Sequence, residues 1–156
     1  MPALFFCITV GGRVRALIRH AMLALSCLCG QVRLECSKRP DFINACNCTL
    51  CSKTGAHWAY FHPSDVAFSG ETRGFRRKDK QDPAAEIRFC ENCGVTTHFV
   101  LTESAIAKFG NVQMGVNMRL ADEKDLVGIE LRYPDGRAWS GTGGFEYVQE
   151  ARIIGR

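Results

Sequence analysis

The spacing of the cysteines constrains the fold of this chain more than any other feature. Cys46, Cys48 and Cys51 form a C-x-C-x-x-C motif, so that three thiol groups lie close together in the sequence. Three thiolates at such short range repel one another unless a cation lies between them, and sulfur ligands favour zinc. The motif therefore predicts a metal site whose ligands include all three sulfur atoms.

Two further cysteine pairs stand on either side of this motif. Cys27 and Cys29 lie in a C-x-C-G sequence, and Cys90 and Cys93 lie in a C-x-x-C-G sequence. Together they offer the four sulfurs of a closed tetrahedral site, which in zinc proteins usually stabilises the fold. In each pair the glycine after the second cysteine accepts the positive φ that such a turn requires. We therefore predict a structural zinc site that joins an early turn to a late one.

The three-cysteine motif differs from the two pairs because it leaves one coordination position of a tetrahedral ion vacant. Such a position can take a substrate thiol as its thiolate, a water molecule as hydroxide, or a carbonyl oxygen that becomes polarised. Addition of a thiol to a small aldehyde follows from the first and the third of these. The alternative is a second closed site, completed by a water molecule or by one of three histidines: His57, His62 or His98.

The remaining composition argues against several classes of protein. The chain has nine cysteines, an odd number, and seven of them occur in knuckle-like spacings. The positive charge follows the apolar run of residues 4–10, whereas a secretory signal carries its charge first. We therefore expect bound metal instead of disulfides, and a cytoplasmic protein. The apolar run is also too short to span a membrane. A net charge of +4 with a single basic cluster does not indicate nucleic-acid binding.

The basic cluster lies at residues 73–80, and an aromatic segment precedes it at residues 58–61. Basic clusters usually form a solvated surface, but guanidinium groups also bind carboxylates. The second interpretation makes the cluster a binding surface for an anionic peptide such as glutathione. In the aromatic segment we expect core residues, one of which forms a pocket wall. The cluster consists of Arg73, Arg76, Arg77, Lys78 and Lys80.

Alternating apolar residues predict a mainly β fold of antiparallel sheets with little helix. Val32, Leu34 and Cys36 alternate with charged residues, which makes Cys36 a core residue and not a metal ligand. The turns carry the metal ligands, and one such turn is predicted at residues 49–55. A short helix is predicted at residues 103–109. Further strands are predicted at residues 42–46, 57–62, 66–68, 73–78, 85–90, 96–101, 111–118 and 126–131.

A single domain is expected at residues 26–150, preceded by an N-terminal extension at residues 1–25. Apolar positions at residues 14–25 fall at helical spacing, which predicts an amphipathic helix. The alternative is that Met22 is the natural start. In that case the segment before it has no place in the fold, and Cys7 is an idle thiol.

The order of these motifs resembles that of a known family. A C-x-C-G-x-V sequence from Cys27, the C-x-C-x-x-C motif followed by Gly55, and an F-C-x-x-C-G sequence from Phe89 are similar to the glutathione-dependent formaldehyde-activating enzymes, which include centromere-protein-V-like domains. The match covers residues 26–145. One position departs from the pattern: family members commonly carry histidine between the first two cysteines of the triplet, where this chain has Asn47. Asparagine cannot transfer a proton near neutral pH, so any acid–base role of that position is lost.

The resemblance implies an Mss4-like fold of antiparallel sheets pinned by zinc. It also implies two zinc ions, one structural and one catalytic and more labile. The structural ligands would be Cys27, Cys29, Cys90 and Cys93. The catalytic ligands would be Cys46, Cys48 and Cys51.

The family's activity joins glutathione to formaldehyde as S-(hydroxymethyl)glutathione, and the reverse step makes the enzyme a carbon-sulfur lyase. We expect this activity here, with a small-molecule thiol and a small aldehyde as partners and with neither nucleic acid nor a membrane. The alternative is a non-catalytic zinc scaffold that binds a protein partner.

Overall fold

The computed structural model describes residues 22–155, which form two β-sheets and three short helices. The helices are α1 (Thr49–Thr54), α2 (Glu103–Phe109) and α3 (Glu123–Leu126), and 3-10 turns lie at Pro63–Asp65 and Met118–Leu120. The strands are β1 (Leu23–Ser26), β2 (Arg33–Cys36), β3 (Phe42–Asn44), β4 (Trp58–Phe61), β5 (Val66–Ser69), β6 (Thr72–Arg76), β7 (Ala85–Cys90), β8 (Thr96–Leu101), β9 (Met114–Asn117), β10 (Glu130–Pro134) and β11 (Tyr147–Ile153).

The smaller sheet has the strand order β1–β2–β5, and both of its pairs are antiparallel. The larger sheet has the order β11–β10–β3–β4–β9–β8–β7–β6. Its neighbours are antiparallel except for β3 and β10, which run parallel. The prediction of a mainly β fold with antiparallel sheets and little helix is confirmed.

The core lies where apolar faces of the two sheets meet. In β2 the predicted alternation is present, because Leu34 and Cys36 are fully buried while Arg33 faces solvent. The sheets contact each other through Phe68 of β5 and His98 of β8, whose ring centroids are 4.7 Å apart. Burial of the apolar side chains of this core stabilises the fold by about 25 cal/mol per Å² of apolar surface removed from water. The prediction that Cys36 is a core residue is confirmed.

The turn predicted at residues 49–55 is wrong, because most of that segment forms helix α1. Its N-terminus is capped by Cys48, whose sulfur accepts a hydrogen bond from the Cys51 N–H at 3.4 Å. Its C-terminus is set by Gly55, which adopts a φ of 64°. A helix of under two turns is too short to show a periodic pattern in the sequence.

The C-terminal half differs from the prediction in three places. Strand β9 spans only Met114–Asn117, because Val112 is exposed and a 3-10 turn begins at Met118. The strand predicted at residues 126–131 begins at Glu130, because residues up to Leu126 form α3. Strand β11 was not predicted, since nearly all of its side chains are exposed and no alternation marks it.

Leu23 and Leu25, which were predicted to lie in the extension, are buried in the core as part of β1. The predicted amphipathic helix is therefore wrong at its C-terminal end, where the chain forms a strand. Cys7 and residues 14–21 of the predicted amphipathic helix lie outside the described residues. The domain boundaries stay a prediction. The three helices found in residues 22–155 are too short to span a membrane.

Candidate metal centres and the adjoining pocket

The four cysteines of the two pairs come together at one end of the sheets. Cys27 and Cys29 follow β1, Cys90 ends β7 and Cys93 lies in the turn after it; their ligand atoms all lie within 4.8 Å of one another. The Cys29 sulfur is 3.5 Å from the Cys27 sulfur and 3.6 Å from the Cys90 sulfur. Four sulfurs at about 2.3 Å from a tetrahedral ion stand about 3.8 Å apart, so the cluster fits such an ion closely.

Two turns of similar construction hold these sulfurs. Gly30 and Gly94 follow the second cysteine of each pair and adopt φ values of 75° and 71°, as predicted. The Gly30 N–H donates to the Cys27 carbonyl at 2.9 Å, and the Gly94 N–H donates to the Cys90 carbonyl at the same distance. The Val32 N–H also donates to the Cys27 sulfur at 3.2 Å. The cluster therefore joins the β1–β2 turn to the β7–β8 turn.

Cys46, Cys48 and Cys51 form the second cluster, in which the three ligand atoms also lie within 4.8 Å of one another. None of the cysteines in residues 22–155 is in a disulfide. No histidine of the described chain belongs to this cluster: His62 contacts Ser64, His57 contacts Arg119, and His98 is buried beside Phe68. Three sulfurs without a fourth side chain give this cluster an open side.

The Cys48 thiol is the most acidic of the three. A hydrogen bond from the Cys51 thiol is the main cause that lowers the pKa of Cys48 to about 5, and the same contact together with burial raises the pKa of Cys51. Burial raises the pKa of Cys46 as well. At least one sulfur of the triplet is thus readily a thiolate, which is the form that binds a metal.

The loop after β10 closes over the triplet at a glycine. A Cβ atom placed on Gly136 would overlap the Cys46 sulfur and would also contact the Cβ of Cys48. The loop backbone can therefore approach the sulfurs this closely only because position 136 has no side chain. The spacing of the sulfurs and this close cover are the two observations by which the residues present fit a bound zinc ion.

Asn47 fastens the triplet to the same loop. Its Nδ2 donates to the Asp135 carboxylate at 2.8 Å, and its Oδ1 accepts from the Arg137 backbone N–H at 2.9 Å. The hydrogen bond from Asn47 is also the main cause that lowers the pKa of Asp135. The residue that departs from the family pattern thus has a structural role in this chain, because both ends of its amide are engaged.

A pocket of about 490 Å³ lies against the open side of the triplet. All three cysteines line it, and no acidic side chain does so among the described residues. Its charged side chains are Arg77, Lys80 and Arg137, so its electrostatic character is positive. Its aromatic side chains are Trp58, Tyr60, Phe99, Trp139 and Phe145.

The structure divides the predicted basic cluster. Arg77 and Lys80 line the pocket, and Arg77 also pairs with Asp79. Arg73 and Arg76 lie on the edge strand β6 and form ion pairs with Glu91 and with Glu86 and Glu103, respectively. Lys78 is exposed and is not among the pocket residues.

Several pocket residues were not found by sequence reasoning. Asn44 and Gly136 have no pattern around them that marks a site, and Trp139 and Phe145 belong to an exposed loop far along the chain. Trp139 packs against Phe145 with ring centroids 4.8 Å apart. Of the aromatic segment, Trp58 and Tyr60 both line the pocket, where one wall residue was expected. Burial raises the pKa of Tyr60, with smaller contributions from the three cysteines.

The fold and the two clusters define a class of protein: a cysteine-rich β domain with two sites that could each hold a metal ion. Residues 22–126 match the family described as glutathione-dependent formaldehyde-activating enzyme, and the chain belongs to that family. The crystal structure of a Rhodobacter sphaeroides protein is similar in fold, with a TM-score of 0.51 and 23% sequence identity; the match covers 69% of this chain and 97% of that chain. No curated protein is similar enough to match this chain.

Proposed function

We propose that this protein is a zinc-dependent carbon-sulfur lyase that joins a glutathione-type thiol to formaldehyde or a similar small aldehyde, and that cleaves the adduct in reverse. The observation that carries the proposal is the position of the triplet. Cys46, Cys48 and Cys51 present an open side to a positively charged pocket, and no fourth side chain of the described residues closes their cluster. Membership of the family supports the same reaction.

The two clusters would hold zinc in different roles. Cys27, Cys29, Cys90 and Cys93 would hold a structural ion, and the triplet would hold the second, more labile ion. A zinc ion held by the triplet would supply a Lewis acid, which would favour a thiolate over a thiol and would polarise a carbonyl.

The chain's own residues bind and orient the substrate. Lys80 and Arg137 form no ion pair with another side chain among residues 22–155, so both are available to the carboxylates of an anionic thiol such as glutathione. The aromatic walls reduce the contact of the reacting groups with bulk water, which strengthens electrostatic contacts inside the pocket. Asn47 keeps the pocket loop in place but cannot move a proton.

Free thiols throughout the described chain agree with a reducing compartment, and we propose the cytoplasm. The competing function is a zinc scaffold for a protein partner, which needs the metals but no reaction at the pocket.

Metal analysis with an activity assay tests the proposal. Zinc content and thiol-dependent consumption of formaldehyde should be measured for the wild type, for Cys48→Ser and for Cys36→Ala, which removes a cysteine outside both clusters. We expect Cys48→Ser to lose the second zinc and the activity, and Cys36→Ala to retain both. Equal activity in Cys48→Ser and wild type would remove the triplet from the mechanism. A zinc-loaded wild type without activity would favour the scaffold.

A further inference from the structure

The pocket contains one phenol, and its surroundings give it a specific chemical role. We propose that the Tyr60 hydroxyl donates a hydrogen bond to the aldehyde oxygen while the thiol adds to the carbonyl carbon, and that Asn44 positions that hydroxyl. This inference rests on the proposed function and names two residues of the same site.

Two aromatic neighbours hold the ring of Tyr60 in place. It lies on β4, half-buried, with ring centroids 6.1 Å from Phe42 and 6.3 Å from Phe99. The same pocket is lined by Tyr60 and by all three cysteines of the triplet. A phenol fixed by two aromatic neighbours loses little further freedom when it contacts a substrate, which makes it a preorganised donor.

The hydroxyl of Tyr60 can still donate a hydrogen bond. Asn44, on the neighbouring strand β3, donates from its Nδ2 to the Tyr60 oxygen at 3.3 Å. The hydroxyl therefore accepts this bond, and among residues 22–155 no protein group accepts the hydrogen bond that its own O–H can donate. A phenol is protonated at neutral pH, so the proton is available to an oxygen bound in the pocket.

Packing alone does not explain why a polar residue, Asn44, is buried beside the site. Only 7% of its surface is exposed, and its Oδ1 has no hydrogen-bond partner among the described residues. A buried amide oxygen without a partner costs about 1–3 kcal/mol. An apolar residue would avoid that cost, so the amide is better explained by its contact with Tyr60 than by stability.

Two other polar residues at or beside the pocket are less suited to this role. Asn47 already uses both ends of its amide in contacts with the loop after β10. Ser140 is exposed and contacts Thr142. A phenol is also a stronger hydrogen-bond donor than an aliphatic hydroxyl, because it is more acidic.

The bond changes of the addition balance with Tyr60 as a donor only. A carbon–sulfur bond forms between the thiolate and the carbonyl carbon, and the π bond of the carbonyl breaks, leaving its electron pair on oxygen. That oxygen takes up, through solvent, the proton that the thiol released. Tyr60 keeps its proton and stabilises the negative charge while it develops. In reverse, the same contact stabilises the oxygen as the carbon–sulfur bond breaks.

The variant Tyr60→Phe tests this role because it keeps the ring and removes only the hydroxyl. We expect kcat/KM for formaldehyde to fall on the order of 10²-fold, as for the loss of one oxyanion donor, with unchanged zinc content and unchanged KM for glutathione. The matched control is Tyr133→Phe, which removes a hydroxyl that contacts Arg152 and lies outside the pocket. The control should retain full activity.

The positioning role of Asn44 is tested through Tyr60. If Asn44 acts only by orienting the phenol, Asn44→Leu should lower kcat/KM in the wild type but add nothing in the Tyr60→Phe background. A purely structural effect of Asn44→Leu would be the same in both backgrounds and would overturn this part. Wild-type activity that persists in Tyr60→Phe would overturn the role of Tyr60 and leave the proposed function intact. A wild type that carries both zinc ions but consumes no aldehyde would overturn both.

Discussion

Asn47 donates a hydrogen bond to Asp135 at 2.8 Å, across 88 positions of sequence, and so ties the triplet of cysteines to the loop that covers it. Its amide oxygen accepts a second bond from the Arg137 backbone. From the sequence alone, asparagine at this position is a loss of acid–base chemistry. The structure shows that the amide also adds two contacts to the loop, because it offers a donor on one side and an acceptor on the other in a fixed geometry.

Replacing Asn47 with histidine should therefore weaken the site. An imidazole can transfer a proton, but it cannot reproduce both hydrogen bonds of the amide at these distances. We expect Asn47→His to lower the free energy of unfolding by about 1–2 kcal/mol and to release the second zinc at a lower chelator concentration, with no rise in turnover. Faster turnover with unchanged zinc affinity would contradict this and would restore proton transfer as the limiting feature of position 47.

The close approach of Gly136 to Cys46 makes a second prediction. A methyl group at position 136 would overlap the Cys46 sulfur, so Gly136→Ala must move either the loop or the thiol. We expect loss of the second zinc and of activity, measured by metal content and formaldehyde consumption, with the four-cysteine site intact. Gly144→Ala is the matched control, because a Cβ there meets no atom within 4 Å. If both variants behaved like the wild type, the loop would not constrain the triplet.

The four-cysteine cluster should determine whether the chain folds. Cys90 is fully buried and comes from the larger sheet, whereas Cys27 and Cys29 follow a strand of the smaller sheet. Structural zinc contributes on the order of 10 kcal/mol of apparent folding free energy in small modules. We expect Cys90→Ser to be insoluble or unfolded by circular dichroism, while Cys48→Ser remains folded. Soluble, zinc-loaded Cys90→Ser would count against this assignment.

His98 should make the stability depend on pH. Burial is the main cause that lowers the pKa of His98 to about 4, with a smaller effect of Arg88, the residue opposite it on β7. In the unfolded chain the pKa is about 6.5, so between these values the unfolded state binds more protons. The stability that the neutral ring contributes is complete above pH 6.5 and is lost as the pH falls toward 4.

The variant His98→Leu isolates this effect from protonation of the cysteines, which both proteins share. Chemical denaturation between pH 7 and pH 5 should show wild type losing stability faster than the variant, by up to about 1.4 kcal/mol per pH unit. Parallel pH profiles for the two proteins would show that His98 does not titrate on unfolding in this range.

Sequence reasoning reached the fold class and the grouping of the cysteines into two clusters, because both depend on local signals. The C-x-C-G and C-x-x-C-G turns fix cysteine and glycine together, and the alternation in β2 is strong because one face of that strand is fully buried. Helix α1 was missed, since six residues capped by a sulfur carry no periodic pattern.

The pocket could not be predicted from the sequence for a different reason. Tyr60 and Asn44 lie on neighbouring strands, but Gly136, Arg137 and Trp139 reach the same pocket only because β10 pairs in parallel with β3. A parallel pairing between strands so distant in sequence leaves no local signal. The loop that covers the triplet therefore became visible only in three dimensions.

We propose that one zinc ion maintains the fold and that a second one, at the triplet, takes part in the reaction. Stepwise removal of zinc by a chelator, followed by metal analysis, circular dichroism and formaldehyde consumption on the same samples, tests it most directly. We predict two zinc ions per chain, of which the first to leave takes the activity with it while the circular dichroism spectrum stays unchanged, and readdition of zinc restores the rate. Full activity after loss of the first ion, or unfolding together with its loss, would contradict the claim.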